Sequence, residues 1–222
     1  MKTQEMVASA LLDIRAVHYN ETTPFVLTSG TRSPVYVDCR KLISFPRQRS
    51  LVISLAAMVV QDDGAARFDC IAGGETAGIP LAAWLSHELS LPMIYVRKQA
   101  KGFGRNSQIE GELKPGASVL LIEDLLFDAQ SKLNFAAAIR DAGARVEHTV
   151  VVFDYGNDVS RRNLSSAGIH LYALTNWSAL LQVAVERSYF TERQAGVIRS
   201  FLRDPAAWGS KASSEVSEAT AI

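Results

Sequence analysis

Apolar positions recur along this chain in two periods, and the switching between them organises most of its length. From residue 3 to 14, Met6, Leu11, Leu12 and Ile14 fall on one face of an expected amphipathic helix, whereas 25–27 and 35–37 read as short strands. Between these strands Thr28-Ser-Gly-Thr-Arg-Ser-Pro34 is dense in turn residues. Pro46 opens an expected helix reaching about residue 60, because its fixed φ and missing N–H are harmless at a first helical position. From there strands are expected at 68–72, 93–96, 118–122, 145–153 and 171–174. Helices are expected at 78–89, 131–142, 177–185 and 192–202.

Strands alternating with helices predict an α/β architecture, a mainly parallel sheet flanked by helices, since parallel neighbours need crossover connections. The first 45 residues break the rhythm and are expected to form a small cap on a core spanning 46–205. Residues 206–222 are rich in Ser, Ala and Glu without periodicity and read as a frayed tail.

Composition adds limits. With 222 residues, 48% of them hydrophobic, the chain suits one substantial domain. Its 23 basic and 23 acidic residues balance, so no general field draws it to nucleic acid and any phosphate recognition must be local. Cys39 and Cys70 lack metal-ligand spacing and read as reduced packing residues. No apolar run approaches the ~20 residues that cross a bilayer, and no signal-type segment opens the chain, so a cytoplasmic protein without membrane partners is expected. His18, His87, His148 and His170 share no ligand spacing, and Trp84 and Trp177 fall on apolar helical faces suited to the core.

The chemistry concentrates in three segments. In Val119-Leu-Leu-Ile-Glu-Asp-Leu-Leu-Phe-Asp-Ala-Gln-Ser-Lys132 an apolar strand delivers Glu123 and Asp124 to its carboxyl end, where open α/β sheets bind ligands. In Cys70-Ile-Ala-Gly-Gly-Glu-Thr-Ala-Gly-Ile-Pro80 a Gly-rich turn joins strand to helix, allowing backbone N–H groups to approach an oxyanion. The same composition also makes a plain tight connection. The long polar segment after residue 96 carries Arg97, Lys98, Lys101 and Arg105 among three glycines, the make-up of a basic lid over a polyanion or of a solvated charge run.

Together these segments resemble the orotate phosphoribosyltransferases, within the type I phosphoribosyltransferase fold. The acidic pair resembles their phosphoribosyl diphosphate motif, Tyr95-Val-Arg-Lys-Gln-Ala-Lys101 their mobile catalytic loop, and Phe25-Val-Leu-Thr-Ser-Gly-Thr-Arg-Ser-Pro-Val-Tyr-Val-Asp38 their orotate-contacting segment. The resemblance runs in family order from about residue 10 to 185. It implies that Glu123 and Asp124 hold the ribose, that Arg97, Lys98 and Lys101 meet the diphosphate, and that Lys101 matters most for catalysis. It further implies that Gly74, Thr76 and Ala77 cradle the diphosphate. Leu125, Leu126, Phe127, Asp128, Ala129, Gln130 and Ser131 would surround the 5′-phosphate, and Ser29, Ser33, Tyr36 and Tyr155 the base. Mg²⁺ carried mainly by the substrate, and a homodimer in which the basic loop reaches the neighbouring site, are implied too.

Several positions depart from the family pattern. Leu126, Phe127, Ala129 and Gln130 stand where Thr, Thr, Gly and Gly are usual, and apolar side chains cannot donate to phosphate oxygens while Ala and Gln resist positive φ. Thr28 replaces a usual Lys, Phe103 a loop His, Thr76 and Ala77 a Tyr-Lys pair, and Tyr155 stands near a usual Arg. Two alternatives to orotate transfer therefore stay open: a weakened or inactive paralogue acting as a nucleotide or orotate sensor or partner subunit, and transfer to another base.

Overall fold

A computed structural model of the chain describes residues 2–27, 30–62, 64, 67–99, 108–205 and 207–208. Helix α1 (Thr3–Asp13) leads into four short strands, β1 (Val17–Tyr19), β2 (Phe25–Val26), β3 (Arg32–Ser33) and β4 (Val35–Val37), then a 3-10 turn at Cys39–Ser44. β1 pairs with β4 and β2 with β3, both antiparallel. The remainder runs α2 (Pro46–Asp62), β5 (Cys70–Gly74), α3 (Gly78–Leu89), β6 (Met93–Val96), β7 (Ile109–Glu110), β8 (Ser118–Leu126) and α4 (Gln130–Asp141). It continues through β9 (Arg145–Asp154), α5 (Asp158–Ser166), β10 (His170–Asn176), α6 (Trp177–Glu186) and α7 (Glu192–Arg203).

The central sheet has the order β10-β9-β8-β5-β6-β7, parallel except for β7. Its middle strands are apolar on both faces because helices cover both. Leu120, Ile122, Val150 and Val152 pack with Val7, Leu11, Val52, Leu85 and Leu180 in one layer. Val119, Leu121 and Val146 pack with Phe135, Ile139 and Leu164 in the other. Helix α1 belongs to the first layer, and Thr175 Oγ1 donates to the Gln4 carbonyl at 2.8 Å, so packing shows no gap at residue 45. Strands β1–β4 pair in two small antiparallel sheets separate from the central one and, with the 3-10 turn that follows, form a flap whose Val17, Val35 and Val37 are buried in the first layer.

Strands β1, β3 and β7 and the 3-10 turn have no counterpart among the expected elements, and two further elements differ from expectation. Strand β8 does not stop at Ile122 but pairs on with β9 through Glu123↔Val151 and Leu126↔Asp154. Helix α5 carries almost no apolar stripe, burying only Ser160 and Leu164; it forms because Asn157 accepts from the Val159 and Ser160 N–H groups, a cap rather than a periodicity. Likewise Asn176 caps α6, and Thr191 with Gln194 forms a capping box on α7.

Candidate active site

The carboxyl ends of β5, β6 and β8 open into a pocket of about 730 Å³. Glu75, Thr76 and Ala77 enter it after β5, Lys98 after β6, and Tyr155 after β9. Glu123, Asp124 and Leu125 come from β8, Phe127 and Asp128 from the turn after it, Ser131 and Lys132 from the first turn of α4, and Phe25, Val26, Leu27, Tyr36, Val37 and Arg40 from the flap. Glu75 binds the two loops together, its Oε2 accepting from Lys98 N at 2.8 Å.

The two acidic neighbours meet different surroundings. Glu123 is 6% exposed; its Oε2 lies 3.4 Å from Lys132 Nζ, while Oε1 is buried without a hydrogen-bond partner. A Cβ on Gly78 would come within 2.6 Å of that Oε1, and one on Gly74 would collide with it and with the Phe135 ring. The two glycines therefore form a notch for Glu123, a packing reason for the Gly-rich turn. Burial pushes the Glu123 carboxyl up to about 7 against the pull of Lys132. Asp124 is also raised by burial and opposed by Lys132, and its charge reaches the flap, raising Tyr36 and Cys39, whose own shifts come first from burial. Beyond it Arg40 donates from Nη2 to Tyr36 Oη at 2.6 Å and from Nε to Asp38 Oδ1 at 2.9 Å.

The turn after β8 is shorter than expected. Leu126 is the last strand residue, fully buried, and its carbonyl accepts from Tyr155 N at 2.9 Å. Its side chain belongs to the core and does not line the pocket. Ala129 is 2% exposed at φ −84° and ψ −4°, and no residue from Phe127 to Ser131 has positive φ, so the turn makes no conformational demand for glycine. Gln130 aims its Nε2 at Asn134 Oδ1, 2.9 Å away along α4, and Asp128 Oδ1 accepts from Gln130 N at 3.1 Å. Phe127 packs edge-on against Tyr155, with ring centroids 5.3 Å apart.

Of the residues singled out in the sequence, Tyr36, Thr76, Ala77, Lys98, Glu123, Asp124, Leu125, Phe127, Asp128, Ser131 and Tyr155 meet in this pocket. Gly74, Leu126, Ala129 and Gln130 do not line it: the first three are buried and Gln130 is exposed. Ser33 is fully buried, its Oγ donating to the Val35 carbonyl at 2.7 Å, so it shapes the flap rather than lining the pocket. Arg97 turns to Glu110, 3.8 Å away across β6 and β7. Thr28, Ser29, Lys101, Phe103, Arg105 and nearly all of 206–222 lie outside the described residues. Sequence reasoning missed Phe25, Arg40, Glu75 and Lys132. For Lys132 a signal was present: a cation in a helix's first turn opposes the macrodipole and needs a local reason. His148, His170 and Tyr172 cluster at the amino ends of β9 and β10, away from this pocket.

Among the described residues no group of three or more His, Cys, Asp or Glu side chains is placed to hold a metal ion, and no helix is long and apolar enough to cross a membrane. Both cysteines are buried free thiols, each raised by burial.

Residues 46–165 match the family model of the phosphoribosyl transferase domain. An orotate phosphoribosyltransferase of Jannaschia sp. (strain CCS1) is 51% identical over 205 residues, 91% of this chain and 90% of that protein. Among solved structures, Leishmania donovani UMP synthase is 32% identical with a TM-score of 0.79, covering 90% of this chain and 42% of that longer one. The orotate phosphoribosyltransferase from Aeropyrum pernix is 30% identical with a TM-score of 0.70, over 83% of this chain and 99% of its own. Sheet order, pocket position and likeness along almost the whole length agree: this chain belongs to the orotate phosphoribosyltransferases.

Proposed function

We propose that this chain transfers the phosphoribosyl group of 5-phosphoribosyl 1-diphosphate to orotate, yielding orotidine 5′-monophosphate and diphosphate in pyrimidine nucleotide synthesis. A ring nitrogen of orotate bonds to the anomeric carbon as the bond to diphosphate breaks. The observation that carries this reading is the convergence of Glu75 to Ala77, Lys98, Asp124 and Ser131 on one pocket, in a chain half identical to such an enzyme. Positive charge building on the ribose is matched by Asp124 and Glu123, and negative charge on the leaving diphosphate by Lys98 and Lys101. Arg97 joins them only by leaving Glu110. Tyr36, Phe25 and Tyr155 supply an aromatic wall for a planar base.

Mg²⁺ fits as an ion brought in on substrate oxygens, because it keeps waters and phosphate ligands rather than demanding an all-protein cage. When bound it neutralises diphosphate charge. A homodimer, with Lys101 serving the neighbouring site, and a cytoplasmic location complete the proposal.

The test follows loss of orotate absorbance on adding the diphosphate substrate and Mg²⁺, with other bases competing in the same assay. Turnover abolished by Lys101→Ala is expected; a well-folded protein that leaves orotate unchanged, or prefers another base, overturns it. Light scattering reads the dimer. The rival, a sensor that has lost turnover, drew its force from the altered turn, and burial of Leu126 and the unstrained Ala129 remove part of it.

A further inference from the structure

Lys132 is 4% exposed, on the first turn of α4. Two general preferences oppose that placement: an ammonium is expensive to bury, and the positive end of a helix dipole disfavours a cation. The structure offsets both with acidic partners. Glu123 Oε2 is 3.4 Å away, and Lys132 is the largest influence favouring the charged form of Glu123 and of Asp124 alike. The other Glu123 oxygen packs into the notch left by Gly74 and Gly78 and is buried. The ammonium is thus held from behind by a buried carboxylate.

An ammonium has three donors. One faces Glu123 and one reaches Ser131 Oγ at 3.2 Å, which leaves a third for the pocket that both Ser131 and Lys132 line. Around it the turn is poor in donors: Phe127 and Ala129 have none in their side chains, and Gln130 spends its amide on Asn134.

Resting on the transferase reading, we propose that Lys132 is a substrate-binding residue that recognises the 5′-phosphate of the phosphoribosyl group, held in place by Glu123 and substituting for the polar side chains this turn lacks. A dianionic phosphate entering at the α4 amino end would meet the Lys132 ammonium and the Ser131 hydroxyl together, and the charge-assisted contact is the strong one. Lys132 then sets affinity at the phosphate end of the substrate, separately from the cations that meet the diphosphate.

The probes are ribose 5-phosphate and inorganic diphosphate, titrated calorimetrically into wild type, Lys132→Met and Lys132→Arg. Lys132→Met should weaken ribose 5-phosphate at least 30-fold and leave diphosphate within threefold, with Lys132→Arg recovering most of the loss. In turnover the same variant should raise KM for the phosphoribosyl substrate far more than it lowers kcat, with KM for orotate within threefold. Should Lys132→Met fail to fold, Lys132→Gln, which keeps a polar head beside Glu123 and Ser131 but removes the charge, is titrated instead, with the same loss expected. Unchanged ribose 5-phosphate affinity, or an equal loss for both probes, overturns the proposal, as does a wild type that does not bind ribose 5-phosphate. Binding that depends on Lys132 in a protein without orotate turnover would sink the transferase reading and keep this one.

Discussion

Tyr155 Oη accepts a hydrogen bond from Val37 N at 3.2 Å, tying the flap to the end of β9 across 118 residues of sequence. Tyr155 is 8% exposed and meets Phe127, Phe153 and Trp177 edge-on. Tyr155→Phe would keep that packing and leave the buried Val37 N–H unpaired. A loss of ~1–3 kcal/mol is expected, read as a lower urea midpoint at constant m-value. An unchanged midpoint would show that the flap is held by its apolar contacts alone.

Restoring the threonine usual in the family at position 126 should harm rather than repair the protein. Leu126 is fully buried in β8, so Leu126→Thr removes apolar volume and buries a hydroxyl. Destabilisation of ~2–4 kcal/mol is expected with no gain in phosphoribosyl diphosphate affinity. Tighter binding in calorimetry would put Leu126 back in the phosphate site.

Gly74→Ala drives a methyl group into Glu123 Oε1 and the Phe135 ring. Overpacking of this kind costs roughly 1–3 kcal/mol. Displacing Glu123 should also lower kcat/KM on the order of 100-fold, the scale of an ångström-level misplacement. Wild-type kinetics in this variant would mean the notch does not position the site.

Glu123 carries a pH signature. Its folded value of about 7 lies above the ordinary 4.5, so between those values the folded chain holds a proton that the unfolded chain has released. This one group therefore lowers stability as pH rises across that window, by on the order of 3 kcal/mol, and adds no further slope above it. Carbon-13 NMR of glutamate-labelled protein should show one carboxyl titrating near 7. If every carboxyl titrates at its ordinary value, the buried, half-partnered Glu123 is wrong.

Local order determined most of what the sequence showed. Helix α3 and strand β6 fall where the apolar period places them, and the acidic pair after four apolar residues marks the ligand end of the sheet, because period and burial are written in nearest neighbours. Helix α5 escaped that reading since a cap, not a stripe, begins it. Only the tertiary structure decided that β8 runs on through Leu126, since strand length is set by the partner β9. It alone made Gly74 and Gly78 a notch for Glu123, and buried Lys132 beside that carboxylate. Residues from four elements must meet before any of them acquires that role, and no spacing along the chain records which oxygen will face which ammonium.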